Sequence, residues 1–181
     1  MSNSKIEVAI FAGGCFWCTE AIFQRLKGVK EVVSGYTGGD IKNPAYREIC
    51  TGRTGHAEAI EITFDPDIIS YQELLEVFFA THDPTTLNRQ GNDVGTQYRS
   101  EIFYQNEFQK KSAEDFIRFL EEKHVFEQPV VTAVSEAKPF YKAEQDHQNY
   151  YNDHKAQPYC QVIIDPKIKK LQTYYKEKLN S

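Results

Sequence analysis

The chain has 181 residues, of which 40% are hydrophobic and 13% aromatic, so it can bury one sizeable core but is short for two independent domains. Its 21 basic and 26 acidic side chains give a formal net charge of −5, and no basic stretch is long enough to follow a phosphate backbone, so nucleic acid is not an expected partner. The first apolar run contains Glu7 and no longer run follows, which argues against a secretory signal or a membrane span and predicts a cytoplasmic protein.

The first half of the chain predicts a strand that turns into a helix at a pair of glycines. Residues 5–11 predict the strand, Gly13 and Gly14 follow it, and residues 15–26 carry apolar side chains at helical spacing. Cys15 therefore lies at a strand-to-helix junction. The elements that follow are a strand, a glycine turn, a strand and a helix, at 29–36, 38–40, 57–64 and 71–80.

The second half begins with a long polar connection, residues 82–97, and a connection of this length is more often functional than idle, so we expect it to form a wall of a site. A strand, an amphipathic helix and another strand follow at 99–104, 107–123 and 130–134. Residues 140–159 are aromatic and polar, and 166–179 predict a terminal helix. No repeat or linker is visible, so we expect one domain over 1–181 in which about 140–181 wrap the core.

The alternation of side chains in the predicted strands indicates the fold class. In the third strand, Ile60, Ile62 and Phe64 alternate with Glu61 and Thr63, as in a strand that buries one face. Helices are spaced irregularly between such strands. We therefore expect an α+β two-layer sandwich, a mixed and mainly antiparallel sheet with helices packed on it, rather than a doubly wound parallel sheet.

Cys15 is the first candidate for chemistry. The start of a helix lowers the pKa of a thiol, and the thiolate is the nucleophile. Gly13 and Gly14 allow positive φ and close approach of a substrate. Cys18 follows on the same helical face, at a separation compatible with a reversible disulfide. In a reducing compartment the four cysteines of this chain suggest catalysis, metal binding or simple burial before a structural disulfide, and buried inert thiols remain the alternative.

The residues between the two cysteines favour an apolar pocket. A C-x-x-C spacing alone is shared by zinc sites and redox sites. Phe16 and Trp17 would hold an apolar group beside the thiol, whereas a disulfide exchanger must keep its attacked sulfur open to a protein partner. Anchoring of the helix to the core is an equally good interpretation of the two rings taken alone.

The motif around Cys15 resembles the signature of the A-type peptide methionine sulfoxide reductases. Six further segments resemble segments of that family and occur in the same order along the chain. Such an ordered set is far more specific than a lone C-x-x-C. The matching segments are GGCFW at 13–17, SGYTGG at 34–39, PAYRE at 44–48, TGHAE at 54–58, HDP at 82–84, GNDVGTQYRS at 91–100 and AEQDHQ at 143–148.

The resemblance implies an activity and assigns roles to particular residues. It implies a ferredoxin-like core and reduction of the S epimer of methionine sulfoxide, free or in proteins, by Cys15. By similarity Glu58 is the acid that protonates the departing oxygen, so it must be kept neutral in a water-poor environment. Tyr46 and Tyr98 would donate hydrogen bonds to the same oxygen. The substrate methyl group would lie against the two aromatic residues of the motif, Phe16 and Trp17.

Other implied roles concern the margins of the site and the second half of the reaction. Asp93 and His147 match family positions near the substrate, although a turn cap and a solvated histidine are the plain alternatives. A sulfenic acid on the first cysteine needs a second thiol. We favour Cys18 as that resolving thiol, with Cys160 as the alternative, because Cys160 is followed by a strand-like run without the glycines of a mobile tail. Cys50 is expected to be buried and inert.

The resemblance also implies the partners. Thioredoxin, or dithiothreitol in vitro, would return the disulfide to two thiols, and no bound cofactor or metal is required. We expect a monomer that binds neither nucleic acid nor membranes. Two other readings stay open: a general protein disulfide oxidoreductase, and a structural zinc module. The zinc module would use Cys15, Cys18, Cys50 and His56 or Cys160.

Overall fold

A computed structural model describes residues 6–180, so Lys5, the first residue of the predicted N-terminal strand, lies outside the described part. The strands are β1 Glu7–Gly13, β2 Val29–Thr37, β3 Ala57–Phe64, β4 Arg89–Gln90, β5 Asp93–Val94, β6 Ser100–Tyr104, β7 Ala133–Glu136 and β8 Tyr141–Lys142. The α-helices are α1 Phe16–Phe23, α2 Tyr46–Ile49, α3 Tyr71–Ala80, α4 Glu107–Glu122, α5 Tyr150–Asp153 and α6 Asp165–Tyr174.

A six-stranded sheet with the order β7-β6-β1-β3-β2-β8 forms one layer of the fold. All of its pairs are antiparallel except β6 with β7. The run β1-α1-β2-β3-α3-β6 places its four strands in the order β6-β1-β3-β2, which is the ferredoxin-like arrangement. The expected α+β class with a mixed, mainly antiparallel sheet is confirmed.

The period of the strands decides which side chains enter the core. On β1, Ala9 and Phe11 face the helices, while Ile10 faces the other side of the sheet. Phe11 is paired with Ile60 of β3. Since Glu58 is two residues before Ile60, it shares the helix-facing side of β3 and is carried into the same buried layer.

The helices start where capping side chains are available and bury one face each. Ser70 accepts a hydrogen bond of 3.1 Å from the Glu73 amide at the start of α3, and the Asn106 side chain accepts one of 2.9 Å from the Gln109 amide at the start of α4. Helix α1 has no such cap and ends at Phe23, earlier than predicted. Among residues 6–180, no helix combines the length and the apolar character needed to cross a bilayer.

The opposite face of the sheet is covered by a loop rather than by a helix. Ile10 and Phe103 on this face pack against Phe140, which precedes β8. A Cβ at Gly35 of β2 would lie 2.4 Å from the Phe140 ring and 2.5 Å from the Tyr141 carbonyl oxygen. Gly35 is therefore required for the chain to cross the sheet so closely.

The C-terminal segment differs most from the sequence-based expectation. The run after Cys160 was predicted to be strand-like, and this is wrong, because Cys160–Ile164 forms a π-helical turn that leads directly into α6. Ile164, Ile168 and Leu171 are buried at helical spacing, whereas Val162 is 69% exposed. The buried side chains of this segment therefore lie on one face of a helix and do not alternate as they would in a strand. The terminal helix also ends at Tyr174, and β7 begins at Ala133 rather than at residue 130.

Replacing Phe11 by alanine tests the assignment of the main core. The Phe11 ring is fully buried and stacks on Phe78 with 4.8 Å between the ring centroids, so its loss should lower the free energy of unfolding by about 3–5 kcal/mol. Phe119→Ala is the matched control, because Phe119 is 51% exposed, and should cost about 0.5 kcal/mol. Urea unfolding followed by circular dichroism measures both, and equal losses would contradict the assignment.

Candidate active site

Cys15 occupies the residue immediately before α1, at the junction predicted from the sequence. Strand β1 ends at Gly13, and Gly14 has a φ of 91°, where a Cβ would lie 2.7 Å from the Gln90 side chain. The Phe16 amide, one of the free N–H groups at the helix start, donates a hydrogen bond of 3.1 Å to Glu58 Oε1. The turn therefore places the thiol beside a carboxyl group.

The resting state of Cys15 differs from the sequence-based expectation. The helix start was expected to lower the pKa of its thiol, but burial raises that pKa well above its ordinary value, and the negative charge of Glu58 raises it further. The Trp17 backbone N–H acts in the expected direction and lowers the pKa, but it is outweighed. Cys15 is only 8% exposed, so the free protein holds a thiol rather than a thiolate.

Glu58 lies in the water-poor environment that a neutral carboxylic acid requires. It is 2% exposed, and burial raises the pKa of its carboxyl from 4.5 to about 8, with a further increase from the charge of Asp93. Hydrogen bonds from the Phe16 amide and the Cys15 thiol act against this increase. The carboxyl of Glu58 is therefore mainly protonated at pH 7.

Two tyrosines approach this carboxyl from different elements. Tyr46 opens α2, and Tyr98 ends the 3₁₀ turn Thr96–Tyr98. Burial raises the pKa of both phenols; Cys50 and, after it, the charge of Glu58 raise that of Tyr46 further, and the charge of Glu58 raises that of Tyr98. Both phenols therefore remain neutral hydrogen-bond donors at any physiological pH.

Glu144 holds one of these tyrosines and was not recognised from the sequence. Its Oε2 accepts a hydrogen bond of 2.8 Å from the Tyr46 amide, and its Oε1 accepts one of 2.9 Å from the Tyr36 hydroxyl. The C-terminal segment thereby fixes the start of α2. The AEQDHQ segment contains Glu144, so the signal was present, but its partners lie about a hundred residues earlier in the chain.

Trp17 and His147 form a pair in the wall of the site. Trp17 Nε1 donates a hydrogen bond of 3.1 Å to His147 Nδ1, so the proton of the neutral ring is on Nε2. The His147 ring also lies 4.2 Å from that of Tyr46, centroid to centroid. Phe16 is fully buried, and its ring lies 5.6 Å from the rings of both Tyr36 and His147. Of the Trp17 and Phe16 rings, only the partly buried indole of Trp17 offers apolar surface, because Phe16 is covered completely.

Two further tyrosines complete this wall and were not singled out from the sequence. The Tyr150 ring stacks on the indole of Trp17 with 3.7 Å between centroids and 5° between planes. The Tyr159 ring meets the indole edge-on at 5.7 Å. Both belong to the aromatic segment 140–159, whose lack of a period conceals which of its rings face the site.

A cavity of about 630 Å³ opens beside the two cysteines of the motif. Residues of the predicted long connection form one of its walls, through the hairpin of β4 and β5, as expected. Asp93 lies on this hairpin, and its Oδ2 accepts a hydrogen bond of 2.7 Å from the Tyr159 hydroxyl. The same hydroxyl lies 3.7 Å from Cys18 Sγ. Cys15 and Cys18 both line the cavity.

The other two cysteines lie in different surroundings. Cys160 is fully buried in the π-helical turn, while its neighbours Tyr159 and Val162 reach the cavity. Cys50 was expected to be buried, and this is wrong, because it is exposed at the end of α2. Helix α2 has only four residues and buries Ile49, so the next residue faces outward.

The described residues do not support a zinc module. Within 6–180 no group of three or more His, Cys, Asp or Glu side chains is placed to hold a metal ion. His56, one of the proposed ligands, instead accepts a hydrogen bond of 3.1 Å from the Gly39 amide through Nδ1, and its Nε2 lies 2.6 Å from the Ile41 carbonyl oxygen. Both ring nitrogens are thus engaged in the backbone of the preceding loop.

Comparison with known proteins gives a consistent result. Residues 7–179 match the family model described as peptide methionine sulfoxide reductase. A relative from Deinococcus radiodurans, called peptide methionine sulfoxide reductase MsrA, is 57% identical over 96% of this chain and 84% of its own length. The crystal structure of reduced Mxr1 from Saccharomyces cerevisiae is 30% identical, with a TM-score of 0.81 over 88% of this chain and 91% of that one. A structure of Mxr1 in complex with Trx2, 22% identical with a TM-score of 0.58 over 82% of this chain and 87% of that one, shares the fold.

The raised pKa of Glu58 predicts how stability depends on pH. The folded protein keeps a proton that the unfolded chain releases, so between about pH 5 and 8 the free energy of unfolding falls by about 1.4 kcal/mol per unit as pH rises. Glu58→Gln has no carboxyl group at this position, so this fall in the free energy of unfolding with rising pH should be absent from the variant. The stability of wild type relative to Glu58→Gln should therefore fall by about 2–3 kcal/mol from pH 5.5 to 7.5 in urea unfolding. Glu114→Gln, at an exposed position of α4, is the control; parallel curves for wild type and Glu58→Gln would contradict the prediction.

Proposed function

The chain belongs to the peptide methionine sulfoxide reductase family, and we propose that its Cys15 reduces the S epimer of methionine sulfoxide, free or within proteins, to methionine. The observation that carries this assignment is the hydrogen bond of 3.1 Å from the Phe16 amide to Glu58 Oε1, because it sets an acid beside the thiol at the start of α1. A buried acid next to a buried sulfur suits a reaction in which an oxygen must be protonated as it is transferred.

In the first step the oxygen passes from the substrate to Cys15. The sulfur of Cys15 attacks the sulfoxide sulfur, and the products are methionine and a cysteine sulfenic acid. Negative charge develops on the oxygen during the attack, so it needs a proton. Neutral Glu58 donates that proton, and its carboxylate takes up the proton of the Cys15 thiol. The pKa of about 8 supports this role, because the carboxyl is protonated when the substrate arrives.

The aromatic residues orient the substrate. Tyr46 and Tyr98 donate hydrogen bonds to the sulfoxide oxygen, a role supported by their raised pKa values and their closeness to Glu58. The methyl group lies against Phe16 and Trp17. An apolar contact with a methyl group excludes water from the sulfur and discriminates against larger substituents by shape.

Asp93 and His147 act through their neighbours in this proposal. The hydrogen bond of His147 to the Trp17 indole supports a role in orienting that ring. The hydrogen bond that Asp93 accepts from Tyr159 supports a role in holding the hairpin of β4 and β5 against the C-terminal segment. Neither residue needs to touch the substrate.

In the second step Cys18 attacks the Cys15 sulfenic acid, which releases water and leaves a disulfide. Cys18 is supported by its place one helical turn after Cys15, where both sulfurs line one cavity. Cys160 is the alternative, but it is fully buried within a helical turn and would reach Cys15 only after that turn opened.

Thioredoxin is the proposed reductant of this disulfide, and dithiothreitol replaces it in vitro. The structure of the yeast relative Mxr1 with Trx2 supports a protein of this class, and the cavity of about 630 Å³ provides a path for an external thiol to Cys18. No step needs a bound cofactor. We place the reaction in the cytoplasm, where the thioredoxin system keeps thiols reduced. We further propose that the protein is a monomer and that residues 1–181 form one domain.

The rival activity, general protein disulfide exchange, is disfavoured by accessibility. Cys15 is 8% exposed and Cys18 is 2% exposed in the free protein. A disulfide held in a folded protein would have to reach a sulfur that is covered by Tyr159 and the hairpin of β4 and β5. A methyl sulfoxide at the end of a flexible methionine side chain, free or in a protein, is small enough to enter the cavity beside Cys15.

The proposed activity is tested with a synthetic methyl sulfoxide that is racemic at sulfur, with dithiothreitol as reductant. We expect one epimer to be consumed and the other to remain in chiral chromatography, and Cys15→Ser to abolish the reaction because the nucleophile is lost. Cys160→Ser is the matched control and should react like wild type under these conditions. Consumption of both epimers, or of neither, would exclude the assignment.

The resolving role of Cys18 is tested with thioredoxin as the sole reductant. Cys18→Ser should reduce one equivalent of sulfoxide and then stop, because the sulfenic acid has no thiol partner. Mass spectrometry of wild-type protein after one turnover should find a peptide pair joined at Cys15 and Cys18. If Cys160→Ser stops after one equivalent instead, and the disulfide joins Cys15 to Cys160, the resolving role passes to Cys160.

A further inference from the structure

Glu20 is a buried carboxyl group that the reaction does not use. It is 1% exposed on helix α1, three residues after Trp17 and therefore on the neighbouring part of the same helical face. Its Oε2 accepts a hydrogen bond of 2.8 Å from the Asn149 amide, and its Oε1 accepts one of 3.3 Å from the Tyr150 amide. A charged group is kept in the interior only when such partners compensate its lost hydration.

The two amides belong to a turn that places an aromatic ring. Asn149 has a φ of 56°, in the left-handed region, and Tyr150 is the first residue of α5. Such a conformation is held by its surroundings rather than by the residue alone. The Tyr150 ring leaves this turn and stacks on Trp17 at 3.7 Å with 5° between the planes. The carboxyl of Glu20 therefore binds the turn that carries Tyr150, and Tyr150 in turn packs against Trp17.

We propose that Glu20 is a positioning residue: by binding the Asn149 and Tyr150 amides it holds the Tyr150 ring against Trp17 and so fixes the indole for the methyl group of the substrate. The link to the substrate rests on the proposed function, whereas the link from Glu20 to Trp17 does not. Glu20, the turn and the indole are connected by direct contacts at each step, with no intervening residue.

The charge state of Glu20 should control how firmly the Tyr150 ring is held against the Trp17 indole. The pKa of its carboxyl is raised to about 7, mainly by burial, with the two amides acting to lower it and the charge of Asp153 adding to the increase. Protonation leaves one good acceptor where two amides need one each. Other titratable or charged groups lie near these rings: Arg25 donates to Asn152 Oδ1, His154 stacks on Tyr150, and His147 accepts from Trp17. On the other side of the indole, Glu58 accepts from the Phe16 amide and Asp93 accepts from Tyr159.

Trp17 is the only tryptophan of the chain, so its fluorescence reports on the wall without any turnover. In Glu20→Gln the amide offers only one acceptor oxygen, and we expect a red-shifted emission and stronger quenching by acrylamide at pH 8. Wild type should change in the same direction as pH falls through about 7, and Glu20→Gln should lose that change. A transition that persists in Glu20→Gln belongs to another group near the indole, such as Glu58, His147 or His154, and overturns the pH control.

Kinetics with dithiothreitol separate positioning from chemistry. The KM of Glu20→Gln for a methyl sulfoxide should rise about tenfold, as for the loss of one charge-assisted hydrogen bond, while kcat changes far less because Cys15 and Glu58 are untouched. Asp153→Asn removes a nearby exposed charge but neither hydrogen bond, and should keep the KM of wild type.

Glu20→Asp is the second variant, and it answers the question if Glu20→Gln does not fold. It keeps the charge but withdraws it by one methylene, so it should also increase acrylamide quenching and KM. Increased quenching with an unchanged KM supports the positioning of Trp17 by Glu20 and counts against Trp17 as the substrate contact. Unchanged quenching in the folded variants overturns the proposal whatever the kinetics.

Discussion

The hydrogen bond between the Phe16 amide and Glu58 is the contact on which the site depends. It joins the start of α1 to β3, and it brings a thiol and a carboxyl group into a volume that excludes water. Burial is the main reason that the pKa of both groups is raised, and the charge of Glu58 raises the pKa of Cys15 further, so the pair remains protonated. This protonated pair is the starting state of the proposed reaction.

The sheet order makes this contact possible. Because β1 is paired with β3, the residue that follows β1 must emerge next to the beginning of β3, and the pairing of Phe11 with Ile60 sets the distance along the strands. The two-residue period of β3 then turns Glu58 toward the helices. The ferredoxin-like arrangement therefore does more than bury a core, since it fixes which two side chains meet.

What could be predicted from the sequence was local, and what could not depended on distant contacts. The junction before Cys15 and the buried face of β3 follow from spacing alone, whereas the roles assigned to individual site residues come from the resemblance and stay predictions. Burial that outweighs the helix start at Cys15, and the exposure of Cys50, depend on what packs against each residue. Glu20 gave no signal, because its partners lie about 130 residues later in a segment without a period.

The protonated state of Cys15 affects how readily oxidants other than the substrate react with its sulfur. A thiol reacts with peroxides and alkylating agents chiefly as its thiolate, so a sulfur held as S–H is a poor target for them. In the mechanism that we propose, reactivity appears only when a bound oxygen accepts the proton of Glu58 and frees its carboxylate to deprotonate the sulfur. On this proposal, selectivity between an oxidised thioether and hydrogen peroxide comes from the order of proton transfers and not from the intrinsic strength of the nucleophile.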